Sequence, residues 1–294
     1  MRAVVVTCAS PIDPAALEAG VAVVRGLVPE LELEVLDAAS HPRLSYLAGD
    51  DATRGAGLVE AIARRPDLVW MARGGYGSLR ALAAVEAELD VVQRDGPVPL
   101  WEFSDGTALA AHWVERGWPC WSAPPLVQVP RLDPMSRERL VRALRGEPCE
   151  TFVDLVPMRE GRASGVLVGG NLTLLASLCG TRWQVSGRDR ILVVEDVGEV
   201  AYRVDRLLSQ LAFAGSLEGL RGLVFGTFTS VSEREAALIE RTLEAFAERL
   251  DVPVARGLPF GHGEVNACFR LGARATLSVD AATASLAIDP RTSR

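Results

Sequence analysis

Three residues of this 294-residue chain are of types, and at positions, that could do chemistry: Ser104, Glu195 and His262. Ser104 lies in Phe103-Ser104-Asp105-Gly106-Thr107, where a strand-like run, 98–103, gives way to a helical pattern that continues through Val114. A sharp turn there would expose the hydroxyl and place the following N–H groups at a helix N-terminus, where negative charge is stabilised. Gly106 matches half of a G-x-S-x-G elbow, and Glu102 stands in the place of the first glycine. The plainer alternative is that Ser104 or Asp105 only caps the helix. His262 lies between Gly261 and Gly263, on a loop where a general base could reach a substrate. Glu195 ends the apolar run Ile191–Val194; it could orient His262, or form an ion pair with Arg203 or Arg206.

A fourth feature, Arg73-Gly74-Gly75-Tyr76-Gly77, follows the buried strand pattern Leu68–Met71. Three glycines after a strand form either a plain turn or a nest of N–H groups facing an anion. Their spacing does not match G-x-G-x-x-G, and no acid suited to a ribose is evident, which argues against a dinucleotide site. A nucleophile, a base, an orienting carboxylate and backbone donors together point to acyl transfer.

The remaining candidates read more simply. His41 sits in a polar loop, and His112 is mid-helix in Ala110-Ala111-His112-Trp113, where packing is the usual role. One central histidine without a second ligand at i+4 argues against a metal site, and no cofactor is expected. The five cysteines, Cys8, Cys120, Cys149, Cys179 and Cys268, are scattered, with no C-x-x-C pair. They read as reduced thiols in a core; Cys8, at a strand end, is a weaker candidate nucleophile.

The elements that must position these groups follow from hydrophobic periodicity. In the first half, strand patterns alternate with helical ones: Ala3–Thr7, a helix from Asp13-Pro14, Leu31–Leu36, a helix capped by Asp51 through Ile62, Leu68–Met71, Ser78–Leu89. Such β-α repetition implies a mostly parallel, doubly wound sheet, with ligands at the carboxyl ends of its strands. Prolines recur from 119 to 157, interrupted by a basic helical segment, 136–145, and this stretch reads as a crossover. The second half has a strand leading to a helix capped by Asn171, a helix over 204–212, a strand over 223–228 and a capping box of Ser232 and Glu235. A β-hairpin over 275–288 closes it. The expected division is an N-terminal α/β domain, 1–130, a crossover, 131–160, and a C-terminal α/β domain, 161–294.

Composition sets limits. Hydrophobic residues are 49% of the chain, enough for a large core. The net charge of −7 argues against a general nucleic-acid partner. No apolar stretch reaches the ~20 residues needed to span a bilayer, and the apolar start is too short for a signal segment. The expected setting is cytoplasmic, without a membrane.

Taken together, these segments resemble the L,D-carboxypeptidase family of serine peptidases, which includes muropeptide carboxypeptidases and microcin C self-immunity peptidases. The resemblance is collinear along almost the whole chain. It runs through Ala72–Gly77, Phe103–Leu109, Gly169-Gly170-Asn171-Leu172, Val194–Glu199, Tyr202–Arg206 and Gly257–Gly263. It implies a triad of Ser104, Glu195 and His262 and an oxyanion hole from the N–H groups of Gly75 and Asp105. It further implies an N-terminal Rossmann- or flavodoxin-like parallel-sheet domain carrying the serine, and a C-terminal mixed α/β domain carrying the glutamate and histidine. The active site would lie between them, in a homodimer. The implied substrate is a small peptide, a murein tetrapeptide that loses its terminal D-alanine; the alternatives are a peptide–nucleotide antibiotic or other acylated small molecule, or a non-catalytic homologue. Arg73 and Arg203 are candidates for holding a substrate carboxylate. Two departures stand out: Glu102 where the family usually has glycine, and Ser122-Ala123-Pro124-Pro125 where many members have His-Gly-Pro.

Overall fold

The computed structural model describes residues 1–36, 42–147 and 151–289. The chain divides into two compact units, Met1–Pro148 and Cys149–Arg294. In the first, the elements are β1 (Arg2–Val6), α1 (Pro14–Leu27), β2 (Glu32–Val35), β3 (Pro42–Arg43), β4 (Leu47–Ala48), α2 (Asp51–Ala63), β5 (Leu68–Met71), α3 (Ser78–Val92), β6 (Leu100–Glu102), α4 (Thr107–Glu115), β7 (Cys120–Ser122) and α5 (Pro134–Leu144). Five of these strands form a parallel sheet in the order β2-β1-β5-β6-β7. This is the flavodoxin-like arrangement, with its topological switch between β1 and β5. The strands are buried along both faces, which is why β1 and β5 read as unbroken apolar runs. Trp70, Trp101 and Trp121 stand in register on three adjacent strands, with ring centroids 5.5 and 5.6 Å apart.

The second unit contains β8 (Thr151–Arg159), β9 (Gly161–Asn171), α6 (Leu172–Ser177), β10 (Arg190–Val197), α7 (Ala201–Phe213), β11 (Gly222–Thr229), α8 (Glu233–Ala247), β12 (Val254–Arg256), β13 (Phe269–Leu271), β14 (Arg274–Val279) and β15 (Ala284–Ile288). Among the described residues seven of these strands close into a barrel, ordered β10-β11-β12-β8-β15-β14-β9. One half, β9 to β12, is parallel, with helices in its crossovers; the other, through β8, β15 and β14, is antiparallel. Closure leaves this sheet without an edge strand. The mixed α/β expectation for this half stands, but periodicity did not reveal the closure. The hairpin read over 275–288 is β14–β15. The span 131–160 contains α5 and β8.

Helix caps show where local sequence suffices. Asp13 accepts from Ala16 N, with Pro14 opening α1, and Asn171 accepts from Leu174 N to open α6. The cap of α2 is Asp50, which accepts from Thr53 N at 2.8 Å; Asp51, expected in that role, lies one residue inside the helix and pairs with Arg54 and Arg80. Ser232 caps α8 as expected, but Glu235 does not complete a box with it. Its carboxylate instead accepts from Ala201 N, at the start of α7, at 3.0 Å. His41 and Cys149 lie outside the described residues.

Candidate active site

In the first unit the candidate groups are held by backbone. Phe103 is extended, and Ser104 then turns to φ +62°, a left-handed conformation that a side-chain-bearing residue adopts at a cost of order 1–3 kcal/mol. Residues 104–106 form a 3₁₀ turn that runs directly into α4. The N-cap positions of the turn and of α4, Phe103 and Gly106, supply no side-chain hydrogen bond. Asp105 is not a cap for its own helix either. Its buried carboxylate accepts from Ser78 N at 2.7 Å, so it caps the start of α3. Burial pushes the Asp105 carboxyl above its usual range, opposed by the bond from Ser78 and by the charge of Arg54.

The glycine segment closes on this turn. A Cβ on Gly74 would lie 2.7 Å from Ser104 Cβ and 2.9 Å from Ser104 Oγ, so only glycine allows the approach. Gly75 has φ +111°, and its backbone is pinned from the other side by Ser10. Ser10 Oγ accepts from Tyr76 N at 3.1 Å and donates to Tyr46 O at 2.8 Å. Ser10 follows β1 and the glycines follow β5, the two strands that flank the switch point.

Glu102 is not on the exposed side of the turn. It is 1% exposed, and its carboxylate packs beneath α4: a Cβ on Gly106 would lie 2.7 Å from Glu102 Oε2 and 2.6 Å from Met71 Sδ. It stands in register with Ser122 on β7 and helps burial hold the Cys120 thiol above its ordinary range. Cys8 is also fully buried, and burial pushes its thiol up to about 12, so it is not a thiolate near neutral pH. Arg73 donates to Pro11 O at 2.7 Å, a backbone tie. Arg203 is half-exposed and lies 3.6 Å from Glu199. His112 is buried against Trp113 and Trp118, a packing role.

In the second unit the candidate groups are held by side chains. Glu195 is fully buried near the end of β10, and its Oε2 lies 2.7 Å from His262 Nδ1. The ion-pair alternative with Arg203 or Arg206 is not what the structure has. Register sets up the rest: Glu195 faces Asn171 across the β9–β10 ladder. Asn171 Nδ2 donates to Glu195 Oε1 at 3.2 Å and to Asp196 Oδ1 at 3.0 Å. Asp196 Oδ2 accepts from the backbone N and the hydroxyl of Thr173, at 2.9 and 2.8 Å. Burial raises the Glu195 carboxyl above the usual range, with the neighbouring charge of Asp196 adding to it, while His262 and Asn171 pull the other way.

The His262 loop is held by a bulge. Between Val194 and Asp196 of β10 the facing strand, β11, carries one extra residue. Thr227, in that bulge, donates both its N–H, at 2.9 Å, and its hydroxyl, at 3.2 Å, to Phe260 O. Phe260 packs edge-on against Phe269, with centroids 5.0 Å apart. The imidazole stays partly exposed, at 19%. With Nδ1–H donated to the carboxylate, Nε2 is the nitrogen that can accept a proton.

The structure thus brings Glu195 to His262 in one unit, and Gly74, Gly75, Ser104 and Asp105 to one turn in the other. Sequence reasoning missed Asp196, Thr173 and Thr227 as supports, and gave Asn171 only a capping role. The signal for Asn171 was its place in Gly169-Gly170-Asn171; Thr227 had none. Among the described residues no group of three or more His, Cys, Asp or Glu side chains is placed to hold a metal ion. No helix there is long and apolar enough to cross a membrane.

Comparison with known proteins accounts for both units. Residues 4–123 match the model of the LD-carboxypeptidase N-terminal domain and residues 164–277 that of the LD-carboxypeptidase C-terminal domain. A putative carboxypeptidase of Streptomyces coelicolor is 35% identical over 97% of this chain and 93% of its own. The murein tetrapeptide carboxypeptidase of Pseudomonas aeruginosa is 34% identical over 80% of each. The crystal structure of a muramoyltetrapeptide carboxypeptidase from Oxalobacter formigenes superposes with a TM-score of 0.84 at 27% identity, covering 98% of both chains. On these matches, which span both units, the chain belongs to the LD-carboxypeptidase family of peptidases.

Proposed function

We propose that this protein is a serine carboxypeptidase that hydrolyses the L,D-amide bond of murein tetrapeptides and releases the terminal D-alanine. The observation that carries the reading is the buried Glu195 carboxylate 2.7 Å from His262 Nδ1. A partly exposed histidine oriented in this way can act as a general base. The strained turn at Ser104 and the murein-peptide names of two relatives support the rest.

In the proposed reaction His262 Nε2 accepts the Ser104 proton as Oγ attacks the scissile carbonyl. Glu195 stabilises the imidazolium. The N–H groups of Gly75 and Asp105 stabilise the oxyanion of the tetrahedral intermediate. His262 then gives its proton to the departing amine of D-alanine, leaving an acyl-enzyme on Ser104. Water, deprotonated by His262, releases the tripeptide acid and restores the hydroxyl.

The test is incubation of the purified protein with murein tetrapeptide and assay of free D-alanine. Release by the wild type, falling by about 10⁴-fold or more in Ser104→Ala, is expected. No release by the wild type would reject the substrate. Equal release by the variant would reject the serine mechanism. An aminoacyl-nucleotide amide run in parallel would reassign the substrate if it were cleaved in preference.

A further inference from the structure

One charged side chain in the first unit has no role in the proposed chemistry and is buried more completely than any surface function would allow. Arg54, on α2, is 0% exposed. Its guanidinium makes four hydrogen bonds in different directions. Nε donates to Cys8 O at 3.1 Å, and Nη1 to Gly49 O at 2.7 Å. Nη2 donates to Asp51 Oδ1 and to Gly77 O at 3.3 Å. The fork therefore ties the end of β1, the turn before α2 and the last residue of the glycine segment to one rigid plane.

Gly77 is the key partner. It has φ +129°, and a Cβ there would lie 3.1 Å from Arg54 Nη2, so the glycine backbone rests directly on the guanidinium. The next residue, Ser78, gives its N–H to the Asp105 carboxylate. Gly75 lies two residues before Gly77, and Asp105 directly follows Ser104. Arg54 and Asp105 thus hold the short stretch Gly77-Ser78 from either side. The charge of Arg54 also favours the ionised form of the buried Asp105 carboxyl. The two backbone donors, Gly75 N–H and Asp105 N–H, sit on the two arms joined by that stretch. The stretch between them is tied down by this network, and an oxyanion is stabilised only by donors already in place.

We infer that Arg54 is a positioning residue that sets the spacing of the Gly75 and Asp105 N–H groups. This rests on the serine-carboxypeptidase reading for its effect on rate, but not for its effect on the loop. Arg54→Lys keeps the charge and removes the planar fork. The expected result is faster amide hydrogen exchange over 74–78, by tenfold or more on the order expected for a loosened loop, with other elements unchanged. D-alanine release should lose on the order of 100-fold in kcat, with KM changed less than about threefold, because the donors act on the transition state and not on the bound peptide.

Asp51→Asn, at a partly exposed site, is the second variant and guards against misfolding of the first; it should shift the same two measurements in the same direction by smaller amounts. Unchanged exchange over 74–78 in both variants would overturn the inference whatever the activity. A loosened loop with unchanged kcat in an active enzyme would overturn it too, as would a loss expressed in KM. A wild type that releases no D-alanine would instead reject the function proposed above, and the exchange measurement would still decide whether Arg54 holds the loop.

Discussion

The Ser104 turn and the Glu195–His262 pair both hold a polar group in one attitude, and they do it by opposite means. At Ser104 the restraint is in the main chain: a left-handed serine, a glycine whose missing Cβ leaves room for it, and N–H groups directed by the start of a helix. At His262 the restraint is a relay of side chains, from Thr173 through Asp196 and Asn171 to Glu195, with the loop held by Thr227. The Ser104 turn is limited by volume, since a Cβ at Gly74 would meet Ser104. The buried relay depends on which atom donates and which accepts. The two regions should therefore fail under different substitutions.

The largest effect is expected on the relay. Glu195→Gln keeps the size and replaces the anionic acceptor pair facing His262 and Asn171 by a neutral amide with only one acceptor oxygen, so kcat should fall by about 10⁴-fold. Its melting temperature should not fall near neutral pH, because a buried carboxylate with a raised pKa is costly to keep ionised. A loss of activity below tenfold would show that the carboxylate is not the orienting group.

The next effect belongs to the backbone half. Gly74→Ala adds one methyl group 2.7 Å from Ser104 Cβ, which must displace the turn. A displacement on the scale of 1 Å costs about 100-fold in rate. Unchanged kinetics in Gly74→Ala, with the fold intact by circular dichroism, would remove the main contrast between the two regions.

The smallest effect is on stability and is measured by thermal melts between pH 4 and 8. Glu195 has a folded-state pKa above its unfolded value of about 4.3, so in the window between the two the folded protein binds the extra proton. Its contribution to stability is present below that window and is lost as pH rises through it. The difference in melting temperature between Glu195→Gln and wild type should thus grow, in favour of the variant, on going from the acid to the neutral side. A difference independent of pH would mean that Glu195 titrates normally.

The parts legible in advance were those written in short range. Helix capping by Asp13, Asn171 and Ser232 depends on an N–H three residues away, which sequence spacing displays directly. The flavodoxin-like sheet was legible because strands buried on both faces must be apolar throughout. Ser104 and His262 were visible by their glycine neighbours and strand-end positions, with helix capping left open for Ser104, and the collinear resemblance joined them to Glu195.

Two carboxylates and one guanidinium show where that reading stops. Asp105 caps α3 and not its own helix, and Glu235 caps α7 and not α8. Glu195, for which a histidine partner and an arginine partner were both open, pairs with His262. Arg54, which no sequence feature singled out, is enclosed by backbone carbonyls from three segments. In a parallel sheet the N-termini of successive helices gather at one end, so an acid on one helix meets the unpaired N–H groups of its neighbour. The sequence by itself determined most of the elements, the local caps at Asp13, Asn171 and Ser232 and the residue types available for chemistry, because these follow from local geometry and burial. Only the tertiary structure decided which acid serves which helix, that the second sheet closes into a barrel, and that Glu195 faces Asn171 and His262, because pairing across strands is set by register and closure and not by spacing along the chain.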